Sequence, residues 1–145
     1  MIQQLKKLAV LYLACLVAST LALTAVYCLP VRPIQEHVRV SVDAFLEEGD
    51  NPFVLPGYKG SSLDNTTDAI MLGNALYQSE LPAYQAAMEA GRAELDNEHT
   101  QLALKKYLDQ DQGLTLTSYE RYWHGYLVVL KPLLLVFNYG QIRIL

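Results

Sequence analysis

From Leu8 to Leu29 the chain runs 22 residues without a charged side chain. At 1.5 Å per residue a helix of that length is about 33 Å long, which matches a bilayer hydrocarbon core of about 30 Å. Lys6 and Lys7 precede the run and no acid does. The run is longer than the roughly 7–15 apolar residues of a cleaved signal peptide, and it ends in Tyr27-Cys28-Leu29-Pro30 with no small-residue cleavage site. Bulky Tyr27 before Cys28 also argues against a lipoprotein cysteine. The reading is a retained anchor, with residues 1–7 cytoplasmic by the positive-inside rule and residues 8–29 spanning the membrane.

Charge divides the remainder. Between Arg32 and Arg121 lie seven Lys/Arg and all 15 Asp/Glu, a balance of −8 (7 − 15). Such a stretch repels phosphate backbones, so nucleic acid is not an expected partner, and it has no polybasic patch for anionic lipid. Cys15 and Cys28 both lie in the apolar run, about 20 Å apart as a helix, so they cannot pair with each other. The stretch outside the run contains no cysteine, which fits a bacterial surface.

Residues 30–118 form the expected extracytoplasmic helical loop domain. Pro30 and Pro33 break the chain as it leaves the membrane. Ile34, Val38, Val42, Phe45 and Leu46 then recur at steps of three and four, predicting a helix over Ile34–Glu48 closed by Gly49. Asn51-Pro52, Pro56-Gly57 and Gly60 mark a loop. The capping cluster Asp64-Asn65-Thr66-Thr67 opens a helix to Tyr77 whose apolar positions are Ile70, Met71, Ala75 and Leu76. Pro82 starts another, to about Leu95, and a fourth covers Glu98 to Leu108 before a break at Gln110 to Gly113.

The second apolar region, residues 119–145, is less easily placed. Five Leu, three Val and one Phe between Leu127 and Phe137 favour insertion by roughly 3–5 kcal/mol. Lys131 near the middle costs about 2.5–3.5 kcal/mol there, and Pro132, His124 and Asn138 subtract more. The sum is near zero. An interfacial helix, with Lys131 wet and Tyr122, Trp123 and Tyr126 as a headgroup-level belt, is favoured over a second span. An apolar run that stops at Leu145 reads as a longer protein cut short. The fold class expected is therefore an all-α membrane protein with an N-terminal membrane helix, a helical outer loop and a C-terminal interfacial or second membrane helix.

Two strings carry a resemblance. Leu63-Asp64-Asn65-Thr66-Thr67-Asp68-Ala69-Ile70-Met71-Leu72 is one. The other is Ser118-Tyr119-Glu120-Arg121-Tyr122-Trp123-His124-Gly125-Tyr126 with Leu130-Lys131-Pro132-Leu133-Leu134 after it. Together they resemble the N-terminal region of uncharacterised multi-pass membrane proteins of Firmicutes. The layout is also similar to the GT-C class of membrane glycosyltransferases, an analogy of architecture alone.

The chemical candidates follow from position. Asp64 and Asp68, four apart, share a helix face and are the candidate catalytic carboxylates, against the plainer role of capping a helix N-terminus. Arg121 and His124 are candidates for binding a lipid-linked phosphate, against a structural place in the aromatic belt. That pairing would make a lipid-linked sugar the substrate and the bilayer the partner. His37, His99 and His124 have no metal-ligand spacing, and no phosphate loop or hydrolase triad signature occurs. Three readings follow: the first part of a multi-pass envelope protein, a GT-C-like transferase, and a single-anchor extracytoplasmic binding module.

Overall fold

The computed structural model describes residues 2–93, 100–109, 116–117 and 124–145. The first helix, α1, covers Ile2–Tyr27. It is apolar on every side, so no face of it selects a core. Its serine and threonine hydroxyls bond within the helix. Ser19 and Thr20 donate their hydroxyls to the carbonyl of Leu16 at 3.0 and 2.9 Å, and Thr24 donates to Thr20 at 2.8 Å. From Leu8 to Ala18 every residue is exposed. Protein covers the helix only further on, where Leu23 is 2% and Val26 6% exposed.

Helix α2, Val31–Glu48, starts earlier than its apolar stripe implied. Pro30 is its extended N-cap and Pro33 sits in its first turn, where a missing N–H leaves no bond unmade. Val31, Ile34, Val38, Val42 and Phe45 are buried in one row, while Leu46 stays exposed on the flank. Each fully buried apolar side chain of this size is worth about 1.5–3 kcal/mol, so this row is the axis of the core. Gly49 ends the helix at φ +80°, a conformation costly for any residue with a Cβ, and donates its N–H to Phe45 at 2.9 Å.

Helices α3 (Asn65–Leu76) and α5 (Thr100–Leu108) pack on α2 and on each other. The buried apolar side chains of α3 are Ala69, Leu72, Ala75 and Leu76, with Asn65 and Asn74 buried beside them. Ile70 and Met71, expected inside, are only partly covered because the core lies one position around the helix. Helix α4, Ala83–Glu89, is shorter than predicted. Ala90 turns left-handed at φ 45°, and Gly91 passes so close to the Tyr77 ring that a Cβ there would collide with it. The chain then enters a two-residue antiparallel pair, β1 (Arg92–Ala93) with β2 (Leu116–Thr117), the one strand pair among the described residues of a helical fold. The expected break at Gln110 to Gly113 lies outside the described residues.

The second apolar region corrects its expectation. It forms α6, Leu127–Leu134, eight residues and about 12 Å long, followed by α7, Tyr139–Ile142. Neither is long enough to span hydrocarbon, and α1 is the one helix among the described residues that is. Leu127, Leu130 and Leu134 enter the core beside α2, α3 and the end of α1. Lys131, expected to stay wet, is 1% exposed. Leu127, Leu130 and Leu134 face protein while Val129, Pro132 and Val136 stay exposed, and the lysine lies on the covered face with the leucines.

Candidate functional site

The N-terminus of α3 is where the candidate carboxylates meet the rest of the chain. Asp64 is the N-cap. Its Oδ1 accepts the Thr67 N–H at 2.9 Å and its Oδ2 accepts the Thr67 hydroxyl at 2.6 Å. Those two bonds, the hydroxyl first, hold its carboxyl below the usual carboxylate range. Asp68, one turn on, points to the C-terminal segment. Its Oδ1 accepts the Tyr139 hydroxyl and its Oδ2 accepts an Arg143 N–H, both at 2.7 Å.

Arg143 is the hub of this cluster. Its guanidinium also donates to Glu48 at 3.2 Å and to the Asn65 side-chain oxygen. Its central carbon lies 4.7 Å from the centre of the Phe45 ring and 5.2 Å from that of Tyr139. The Arg143 and Asp68 side chains are only 17% and 18% exposed, so this pair is stronger than a surface one. Burial, then the bond to Asp68, raises the Tyr139 hydroxyl well above its ordinary value. Asn65, fully buried, ties the far side by donating to Gly49 at 2.7 Å and Glu48 at 3.1 Å. Both carboxylates are thus engaged by protein donors. Asp64 starts a helix and Asp68 fastens α7 to it.

A second polar group runs beneath α6. His37 Nδ1 lies 2.8 Å from the Leu134 carbonyl, and since a carbonyl only accepts, that nitrogen carries the proton. The Ser41 hydroxyl donates to the His37 carbonyl at 2.8 Å and accepts the Tyr139 N–H at 2.9 Å. His124 is 3% exposed and stacks on Tyr126 with ring centres 5.8 Å apart. Asn74 donates to the Tyr126 hydroxyl at 2.7 Å. His124 therefore sits inside the protein and not on a headgroup-facing surface, and Tyr126 is half-buried beside it. Arg121, Tyr122 and Trp123 lie outside the described residues.

Where α1 meets the domain, the Lys131 ammonium lies 4.7 Å from the centre of the Tyr27 ring. Burial pushes its pKa down to about 8, opposed by the nearby Cys28. A cleft of 260 Å³ opens alongside, lined by Tyr27, Leu29, Tyr77, Ser79 and Ala86 among others. Tyr77 closes one side by donating its hydroxyl to Glu89 at 2.6 Å. Among the described residues no group of three His, Cys, Asp or Glu side chains could hold a metal ion.

Comparison with family models, curated proteins and solved structures found no match to the chain.

Sequence reasoning found Asp64 and Asp68 but not the two donors to Asp68, Tyr139 and Arg143. Arg143 lies 75 residues from Asp68. In the sequence His37 shows only that it lacks metal-ligand spacing, and Ser41 looks like one polar residue on an amphipathic helix. The signal available was spacing: both flank the apolar row of α2, where a covering segment had to find polar partners.

Proposed function

We propose that this chain is a membrane-anchored module of the cell envelope. In this reading α1 spans the bilayer with Lys6 and Lys7 in the cytoplasm, and the helical domain stands on the outer face as a structural or binding unit. The observation that carries it is the division of α1. Its apolar surface is exposed from Leu8 to Ala18, yet Leu23 and Val26 belong to the domain's core. A soluble protein rarely leaves so long an apolar surface uncovered. Removal of the segment as a leader would strip Leu23 and Val26 from the core, which supports a retained anchor.

A multi-pass protein carrying this unit on its first span, as the resemblance to the Firmicutes proteins implies, would use it in the same way. The transferase reading has less support. Asp64 and Asp68 already serve a helix cap and a clamp, and His124 is buried.

The test is labelling of Lys59→Cys, at an exposed loop position, in the full chain with Cys15 and Cys28 changed to Ala. A membrane-impermeant maleimide should label intact cells, and the mature protein should keep its N-terminus by mass. Labelling only in broken cells would reverse the topology, and a shortened N-terminus would remove the anchor.

A further inference from the structure

The free apolar length of α1 is too short for the membrane it is read to cross. The eleven uncovered residues from Leu8 to Ala18 rise about 17 Å. A hydrocarbon core is about 30 Å thick. Lys6 and Lys7 fix the inner end, and their apolar stems narrow the gap by snorkelling without closing it. The rest of the thickness must be met by the part of α1 that protein covers on one side, where Leu21 and Ala25 stay exposed and Leu23 and Val26 are buried. There the outermost surface belongs to α4 and α6, which pack on α1.

The outward faces of those two helices are mainly apolar. On α4, Tyr84 and Met88 are each more than half exposed, with the uncharged Gln85 exposed between them and Leu81 exposed just ahead of the helix. On α6, Val129 and Pro132 are exposed one turn apart, while Lys131 is turned inward. Neither face carries a charge at these positions.

We propose that α4 and α6 form a collar sunk into the outer leaflet, so that the bilayer covers Leu81, Tyr84, Met88, Val129 and Pro132. This rests on the anchoring reading and adds a depth to it: the domain is partly embedded and not merely tethered. The partner is the acyl-chain and glycerol region of the same membrane. Apolar faces continuous with a spanning helix are what that region accepts, and the acidic domain offers no basic patch for headgroups. The collar also accounts for the inward turn of Lys131, since the opposite face of α6 is taken by lipid.

The experiment places single tryptophans in the full chain, with the one native tryptophan removed as Trp123→Phe. The chain is reconstituted in phosphatidylcholine vesicles whose acyl chains are brominated both near the glycerol and at mid-chain, so that quenchers lie at every depth of the hydrocarbon core. Tyr84→Trp and Val129→Trp should lose most of their emission to the bromines, as should Val17→Trp in the free part of α1. Tyr58→Trp, in the loop beyond the far end of α2, should keep its emission. Quenching at position 17 with none at 84 or 129 would overturn the collar while leaving the anchor, the bilayer having thinned to the free helix. Equal quenching at position 58 would mean that the whole domain lies flat, and would also overturn it. No quenching at position 17 would remove the anchor and the collar together.

Discussion

The chain has two apolar segments of similar composition, and they meet opposite fates. Leu8 to Tyr27 continues as one helix, bare as far as Ala18, whereas Leu127 to Phe137 breaks into an eight-residue helix and a turn packed on the domain. Leucine is denser in the second, and the share of β-branched residues does not separate them. Two residues do. Lys131 raises the cost of a lipid environment, and Pro132 is followed by a helix that runs only to Leu134. The broken segment is short enough to lie across α2 with three leucines inside. An apolar run is thus an instruction to be covered, and length and interruption decide how much of it the rest of this chain can cover.

The comparison is broken most directly by truncating a leucine in each segment. Leu134→Ala should cost about 2–5 kcal/mol of domain stability, because the site is fully covered. Leu13→Ala, on the bare part of α1, should change it by less than about 0.5 kcal/mol. Denaturant unfolding of the full chain in detergent micelles, followed by near-ultraviolet circular dichroism, gives both values. Equal costs would mean that the two segments are not differently housed.

The clamp that holds the second segment down comes next in size. Arg143→Gln and Asp68→Asn should each cost about 1.5–3 kcal/mol, the usual worth of hydrogen bonds to charged groups. The double variant should cost clearly less than their sum, since each single change already opens the pair. Strict additivity would show that the two groups do not act on each other.

Lys131→Met sharpens the contrast from the other side. Replacing a buried ammonium by an apolar chain of similar length should stabilise the domain by about 1–3 kcal/mol near neutral pH. In the native chain the unfolded lysine titrates near 10.5 and the folded one near 8. Between those values the unfolded state holds more protons, so stability should rise with pH over that window and show no such rise below it. The methionine variant should lose this rise. A rise that persists would assign it to another group.

The smallest expected effect is at Asp64. Asp64→Ala should cost about 1 kcal/mol as a lost helix cap. Because its carboxyl is held low in the folded state, the contribution is present above the ordinary carboxylate range and lost as pH falls through it. A far larger loss of a biological activity with stability unchanged would return Asp64 to a chemical role.

What the sequence by itself determined is what depends on neighbours a few residues away. The bare helix followed from an uncharged run, the α2 row from its three-and-four spacing, and the start of α3 from Asp64 and its Thr67 donor. These are local because helix bonds, caps and amphipathic stripes close within one or two turns. Only the tertiary structure decided which stripe faces which. It chose Ala69 and Leu72 over Ile70 and Met71 on α3, and it buried Lys131 and His124. It also brought Arg143 onto Asp68 and Tyr139 onto Ser41. Those pairings span most of the chain. Their physical reason is shared: once α6 and α7 lay on α2, Tyr139 and Arg143 were set against polar groups already there, and no local pattern states which ones those are.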